Sequence, residues 1–319
     1  MSYKRVELYV WWTCNQKCTY CMEFPNMERK WKRKVTKHEI LKDLIKYKKK
    51  GYNHVTLLWW EPFIQEVFYD SLKIAKIMWF TTLVTTNATT LHLDAQAKKY
   101  LPLIDELILS VQWVDKDLQQ KISRTNVLVH WNEVFENIKK YWKGSFIKSN
   151  IVITTDNLPH IPELVEFSHK HWITNIAVTY PDLDEEYYTK EHLLESVAPK
   201  YSQVMQYINK AVDYSYKNKL NLKVVDIPFC IFSSNKREKY IKMTDDYNYE
   251  NRVKISDELY SDNTFEDKPI ERTEVLPRER AQVDACNWCI YNSICWWPAK
   301  AYKNLYGYSE INKITHNTL

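Results

Sequence analysis

The chain has little glycine, with 3 in 319 residues. Ordinary usage would give about 22. A large α/β domain uses glycine at helix C-termini and tight turns, where the backbone turns left-handed. Tryptophan is over-supplied instead, with 13 residues. Other absences bound the function. No apolar run approaches the ~18 residues that span a membrane. The start, Met1-Ser2-Tyr3-Lys4-Arg5, has no signal-peptide apolar region. A cytoplasmic location with no membrane partner is therefore expected. There thiols stay reduced, so clustered cysteines mean metal rather than disulfides. The nine histidines form no metal-binding spacing; His169 and His171 suit a helix end. No internal repeat stands out beyond an alternation of strand and helix patterns.

What is present is a cysteine loop. Cys14, Cys18 and Cys21 follow the apolar run 6–12 in the spacing C-x3-C-x2-C. Three thiolates so placed can hold three irons of a [4Fe-4S] cluster and leave the fourth open to a cofactor. Zinc is the alternative, but zinc sites usually pair C-x2-C with a second ligand pair. Four further cysteines remain. Cys286, Cys289 and Cys295 read C-x2-C-x5-C, and Cys230 lies upstream. Four thiolates suit a closed [4Fe-4S] or zinc site, and spacing alone does not separate the metals.

Strand-like runs recur at 5–12, 54–60, 80–86, 105–112, 147–154 and 173–180. Helical patterns lie between them, at 64–78, 93–100, 131–141, 162–171 and 199–217. Thr36 and Glu39 form a capping box, and that helix ends at Gly51. Six β-α units imply an α/β fold with a parallel sheet. Cys14, Glu61, Asn87, Ser110, Thr154 and Tyr180 all fall at or just past strand ends. In parallel barrels sites gather at that edge. Residues 231–285 are charged, polar and without period, and read as a long connection. The expected division is 1–225 for the core and 226–319 for a linker and cysteine-rich extension. The charge of +5 is modest. The basic run Arg29 to Lys34 reads as a solvated loop, so no nucleic-acid partner is expected.

The cysteine loop, with Tyr20 just before its last cysteine, resembles the signature of the radical S-adenosylmethionine (SAM) superfamily. The resemblance implies a partial (β/α)6 TIM-like barrel with a [4Fe-4S] cluster on Cys14, Cys18 and Cys21. SAM would chelate the open iron and be cleaved to a 5′-deoxyadenosyl radical that abstracts a substrate hydrogen. It implies a ferredoxin or flavodoxin as reductant. Residues 230–307 are similar to the twitch/SPASM-type extensions, which implies a second [4Fe-4S] cluster at Cys230, Cys286, Cys289 and Cys295. Cofactor contacts are implied for Tyr20, Trp59, Trp60, Glu61, Asn87, Ser110, Asn150 and Tyr180. A peptide is the first substrate class implied and a cofactor-biosynthesis reaction the second. A non-catalytic iron-sulfur electron carrier is the rival class; Glu61-Pro62 argues against it, since a carrier needs no ligand for the SAM amine.

The family has Gly-Gly-Glu-Pro where this chain has Trp59-Trp60-Glu61-Pro62. Thr86-Asn87 matches a family turn, with Ala88 for its glycine. Trp79, Trp113 and Trp172 also stand at element boundaries. One cause would cover these positions: UGA codons that the source organism reads as glycine, translated as tryptophan. Trp131 fits an amphipathic helix as a true tryptophan.

Overall fold

The computed structural model describes residues 4–11, 13–21, 35–181, 183, 197–237, 252–255, 280–293, 295 and 297–312. The basic run Arg29 to Lys34, Trp12 and Trp296 lie outside them. Eight parallel strands form one sheet: β1 Arg5–Trp11, β2 His54–Trp59, β3 Thr81–Thr86, β4 Glu106–Ser110, β5 Phe146–Val152, β6 Asn175–Thr179, β7 Asn221–Val225 and β8 Arg252–Ile255. Their order is β7-β6-β5-β4-β3-β2-β1-β8. Among the described residues β7 and β8 are its two edges, so the sheet is open. This is the expected α/β, partial-barrel class.

Helices return the chain between strands: α1 Lys37–Lys49, α2 Phe68–Ile77, α3 Asp94–Tyr100, α4 Lys116–Ser123, α5 Trp131–Tyr141, α6 Ile161–Lys170 and α7 Tyr201–Lys217. A last helix, α8, spans Lys300–Tyr306. The capping box forms: Glu39 N donates to Thr36 Oγ1 (3.3 Å) and Thr36 N to Glu39 Oε2 (2.7 Å). One sheet face is apolar and sealed under the helices, with Val6, Leu8, Val55, Leu57, Val84 and Leu107 each 0% exposed. The other face is polar. On it Arg5 meets Glu106 at 2.9 Å. Registered pairs set Ser110, Asn150, Ala177 and Lys223 in one row across it.

The structure departs from the sequence pattern in five places, two of them the added strand β7 and helix α8. Residues 65–67 are not helical; a 3-10 turn at Pro62–Ile64 precedes α2, and Gln65 is engaged with the cysteine loop. Helix α4 was not expected. The connection at 231–285 contains β8, which pairs with β1 from Arg5↔Arg252 to Leu8↔Ile255. Four residues are too few for a legible period. β8 forms because β1 offers it an open edge.

Two of the five glycine-candidate tryptophans have the backbone that glycine favours. Trp79 (φ 59°) and Trp172 (φ 57°) are left-handed and follow α2 and α6. Each is followed by the 6→1 bond of a Schellman cap, Phe80 N to Ala75 O and Ile173 N to Ser168 O, both 3.0 Å. Gly51 (φ 83°) closes α1 in the same way, with Tyr52 N to Tyr47 O at 3.0 Å. Left-handed backbone costs an L-residue about 1–2 kcal/mol. Trp79 recovers little by packing, being 86% exposed. Trp79→Gly should therefore raise unfolding free energy by about 1 kcal/mol in a denaturant titration. Trp113 differs from expectation. It is 1% exposed in the core and not left-handed. Trp60 is half-buried, and Trp59's side chain lies outside the described residues.

Candidate functional site

The cysteine loop leaves β1 at the C-terminal edge of the sheet. Its backbone is tied to the end of α4: Lys17 N donates to Ser123 O and Thr19 N to Ile122 O, both at 2.9 Å. Cys21 N closes a turn on Cys18 O at 3.0 Å. The loop's first residue is held by Gln65, whose Nε2 donates to Thr13 O (2.9 Å) and to Glu61 O (3.1 Å). These bonds need no thiol. Cys14, Cys18 and Cys21 are left half-buried and close enough to perturb one another. Burial pushes the Cys18 thiol up to about 12, with Cys21 adding. Burial and then Glu61 push Cys14 well up. Tyr20 lies against Cys18, and its hydroxyl is raised by burial and by that sulfur.

Glu61 is 0% exposed. Its Oε1 accepts from Thr86 Oγ1 (2.7 Å) and Phe63 N (3.3 Å), and its Oε2 from Asn87 N (2.8 Å). The carboxyl thus clamps the end of β3 to the loop after β2. The expectation that it would reach a ligand's amine meets a carboxyl already engaged with protein donors. Asn87 extends the network. Its Nδ2 donates to Asn15 Oδ1 at 2.9 Å and lies 3.8 Å from Cys14 Sγ. Thr89 Oγ1 donates to Asn87 Oδ1 at 2.6 Å. Ala88, at the family's glycine position, is left-handed (φ 62°) and buried. Gln65, Asn15 and Thr89 were not singled out in the sequence; only their closeness to the cysteine and Glu-Pro motifs could have marked them.

Burial raises the Glu61 carboxyl from 4.5 to about 7, against its hydrogen bonds. The folded state therefore holds the proton more tightly than the unfolded chain. Stability from this group is full below pH 4.5 and falls as pH rises to about 7. The loss amounts to about 3 kcal/mol. Glu61→Gln should flatten that slope in urea titrations between pH 4.5 and 7. Glu61→Ala leaves three buried donors unmet; it should cost about 3 kcal/mol below pH 4.5 and progressively less as the pH rises to about 7.

The remaining predicted residues separate. Ser110 and Asn150 are register partners on the polar face, both half-exposed. Tyr180 is enclosed by protein. It is 0% exposed, its hydroxyl donates to Pro199 O at 2.7 Å, and its ring packs on Tyr201. Trp59 ends β2 opposite Trp11, where β1–β2 pairing becomes irregular. Trp60 follows, just before Glu61, whose N donates to Thr13 O at 3.4 Å.

The other four cysteines come together. Cys230, Cys286, Cys289 and Cys295 line one pocket, with Pro228, Trp297 and Asn312. Cys230 sits on a 3-10 turn, Phe229–Ile231, just past β7. Burial pushes its thiol up to about 12 and that of Cys295 to about 11. Phe229 N donates to Cys295 Sγ at 3.4 Å. The segment docks on β7 through Arg280, 6% exposed, whose Nη2 meets Asp226 Oδ1 at 2.7 Å.

Among the described residues no three His, Cys, Asp or Glu side chains converge tightly enough for a single metal ion. A cluster held at three corners is a larger target and asks for thiols spread around it. The three loop cysteines and the buried, unpartnered Gln16 Nε2 beside them fit that demand.

Residues 10–168 match the family model of the radical SAM superfamily. The chain is 25% identical over 166 residues to an S-adenosylmethionine-dependent nucleotide dehydratase of Flammeovirga pacifica, covering 48% of this chain and 54% of that protein. A dehydratase of the same description from Lacinutrix mariniflava is 24% identical over 161 residues, 48% of this chain and 33% of its own. The chain thus spans about half, or less, of these curated relatives. Among solved structures, Streptococcus suis SuiB bound to precursor peptide SuiA superposes with TM-score 0.63 at 16% identity, over 99% of this chain and 76% of that one. The anSMEcpe structure with bound AdoMet and Kp18Cys peptide gives 0.50 at 18% identity, over 70% and 64%. At such identities the likeness is one of fold.

Proposed function

We propose, since the chain belongs to the radical SAM superfamily through residues 10–168, that it is an enzyme cleaving SAM reductively to take a hydrogen atom from a substrate. The observation that carries this reading is the grouping of Cys14, Cys18 and Cys21 on one anchored loop at the sheet's C-terminal edge. These thiols would hold a [4Fe-4S] cluster, which with SAM bound supplies one-electron cleavage of the sulfonium and hydrogen abstraction. The protein's own work is positional. Gln65, Glu61 and Asn87 fix the loop against β2 and β3. Tyr20 shields Cys18. The polar face beneath, with Ser110 and Asn150, would receive the cofactor's nucleoside and the substrate.

Cys230, Cys286, Cys289 and Cys295 would hold a second metal centre. An auxiliary [4Fe-4S] cluster is favoured; zinc, the alternative, would need these four thiols to draw closer together than they stand. Residues 1–225 would act as the core and 226–319 as the extension, with β8 returned to the core sheet. A ferredoxin or flavodoxin would be the reductant. Anaerobic reconstitution followed by a 5′-deoxyadenosine assay tests the activity; a reduced, iron-loaded protein that forms none would be an electron carrier.

The first substrate class is a peptide, supported by the superposition with SuiB over nearly the whole chain. A nucleotide is the second, supported by the dehydratases and by Lys148 and Lys223 on the same face as Ser110 and Asn150. Lys148→Ala and Lys223→Ala should each weaken nucleotide-stimulated SAM cleavage about tenfold under that reading, and leave peptide-stimulated cleavage unchanged under the other.

A further inference from the structure

Arg237 is 7% exposed and lies seven residues after Cys230. Its Nε donates to Phe229 O (3.2 Å) and its Nη2 to Phe232 O (2.9 Å). Those carbonyls bracket the turn that carries Cys230. Its Nη1 is buried with no hydrogen-bond partner, and among the described residues no carboxylate pairs with the guanidinium. Two carbonyls could be met by a neutral donor. A buried cation without a counter-charge is costly. The nearby Arg280 does not share this state, because Asp226 neutralises it. Four thiolates around a bound metal centre leave a net negative charge, whether the metal is iron-sulfur or zinc.

We propose that Arg237 is a positioning residue and the counter-charge for a metal centre at Cys230, Cys286, Cys289 and Cys295. The proposal rests on the metal-site reading of those cysteines given above. Arg237 fixes the Cys230 turn through two donors and offsets the centre's negative charge with its cation. Reduction adds negative charge, so a neighbouring cation favours it. The test compares the full-length, anaerobically reconstituted protein with Arg237→Gln and Arg237→Lys. Metal content is measured first, then the reduction potential of each cluster by spectroscopic titration, with the Cys14 cluster as internal reference. Where the second metal is zinc, the readout is the rate of its loss to a chelator. Arg237→Gln should lower the second cluster's potential, or speed zinc loss about tenfold, and leave the first cluster unmoved. Arg237→Lys keeps the charge but not the fork, and should restore most of the effect. Equal potentials or rates in wild type and Arg237→Gln, or a lysine variant as impaired as the glutamine one, would overturn the role of Arg237. Wild-type protein with no metal at these four cysteines would instead sink the metal-site reading, and this role with it.

A second inference joins the backbone angles to the codon reading of the sequence. Among the described residues seven non-glycine residues have positive φ, and three of them are tryptophan: Trp79, Trp172 and Trp297. Tryptophan is only 13 of 319 residues. Lys219 (φ 57°) occupies the same kind of helix end, so one such position decides nothing. The recurrence of one bulky residue type does. We infer that the native protein carries glycine at 79, 172 and 297, encoded by UGA. Gene sequencing and peptide masses from the native source test this together. UGA codons and glycine masses are expected at all three positions. UGG at Trp79, Trp172 or Trp297, or a tryptophan mass there, would overturn the inference.

Discussion

Replacing Cys14, Cys18 and Cys21 together by alanine should remove one cluster's iron and bring 5′-deoxyadenosine formation down to background. The fold should persist. The loop is held by Lys17 N to Ser123 O, Thr19 N to Ile122 O and Gln65 Nε2 to Thr13 O, all near 2.9 Å, and none of these uses a sulfur. The cost in stability should stay within about 1–2 kcal/mol, the scale of small, half-buried truncations. Iron content should fall by one cluster and not by two, because the other four cysteines line a separate pocket past β7. Persistent reductive cleavage in the triple variant would remove these thiols from the chemistry. Loss of all iron would instead mean that the two sites are not independent.

The largest gain should come from Trp59→Gly with Trp60→Gly. Trp59 ends β2 and Trp60 links it to Glu61, at the turn that Gln65 and Glu61 tie to Thr13 at the foot of the cysteine loop. The strand pairing is already irregular where Trp11 meets Trp59. Each tryptophan side chain brings about 150–250 Å² of surface, where the resemblance to Gly-Gly-Glu-Pro calls for bare backbone. The chain as written should show little SAM cleavage, and the double variant at least tenfold more. Its gain would not depend on freeing the Glu61 carboxyl, which stays bound to Thr86, Asn87 and Phe63. Full activity with both indoles and none gained without them would overturn the role given to this turn.

The cysteine spacing, the Glu-Pro motif and the six strand-helix repeats were legible in the sequence because each is local. A strand of alternating or wholly apolar residues, a capping box and a C-x3-C-x2-C loop are all set within a few neighbouring positions. From them came the fold class, the ligands proposed for the first site, and the edge of the sheet on which it lies. Short elements were not legible: β8 and α4 form because a sheet edge and a loop accept them, not because their own pattern demands it.

The tertiary structure decided what depends on distant segments meeting. It brought Cys230 to Cys286, Cys289 and Cys295 across more than fifty residues of sequence. It turned Glu61 inward, since a carboxyl surrounded by the ends of β2 and β3 finds its donors there before any ligand does. It also buried Tyr180 against Tyr201 and Pro199, and Trp113 in the core, where the sequence had suggested an edge and a turn. Local pattern names the residue types that chemistry needs. Burial and the hydrogen bonds available in the folded chain decide which of them remain free to do it.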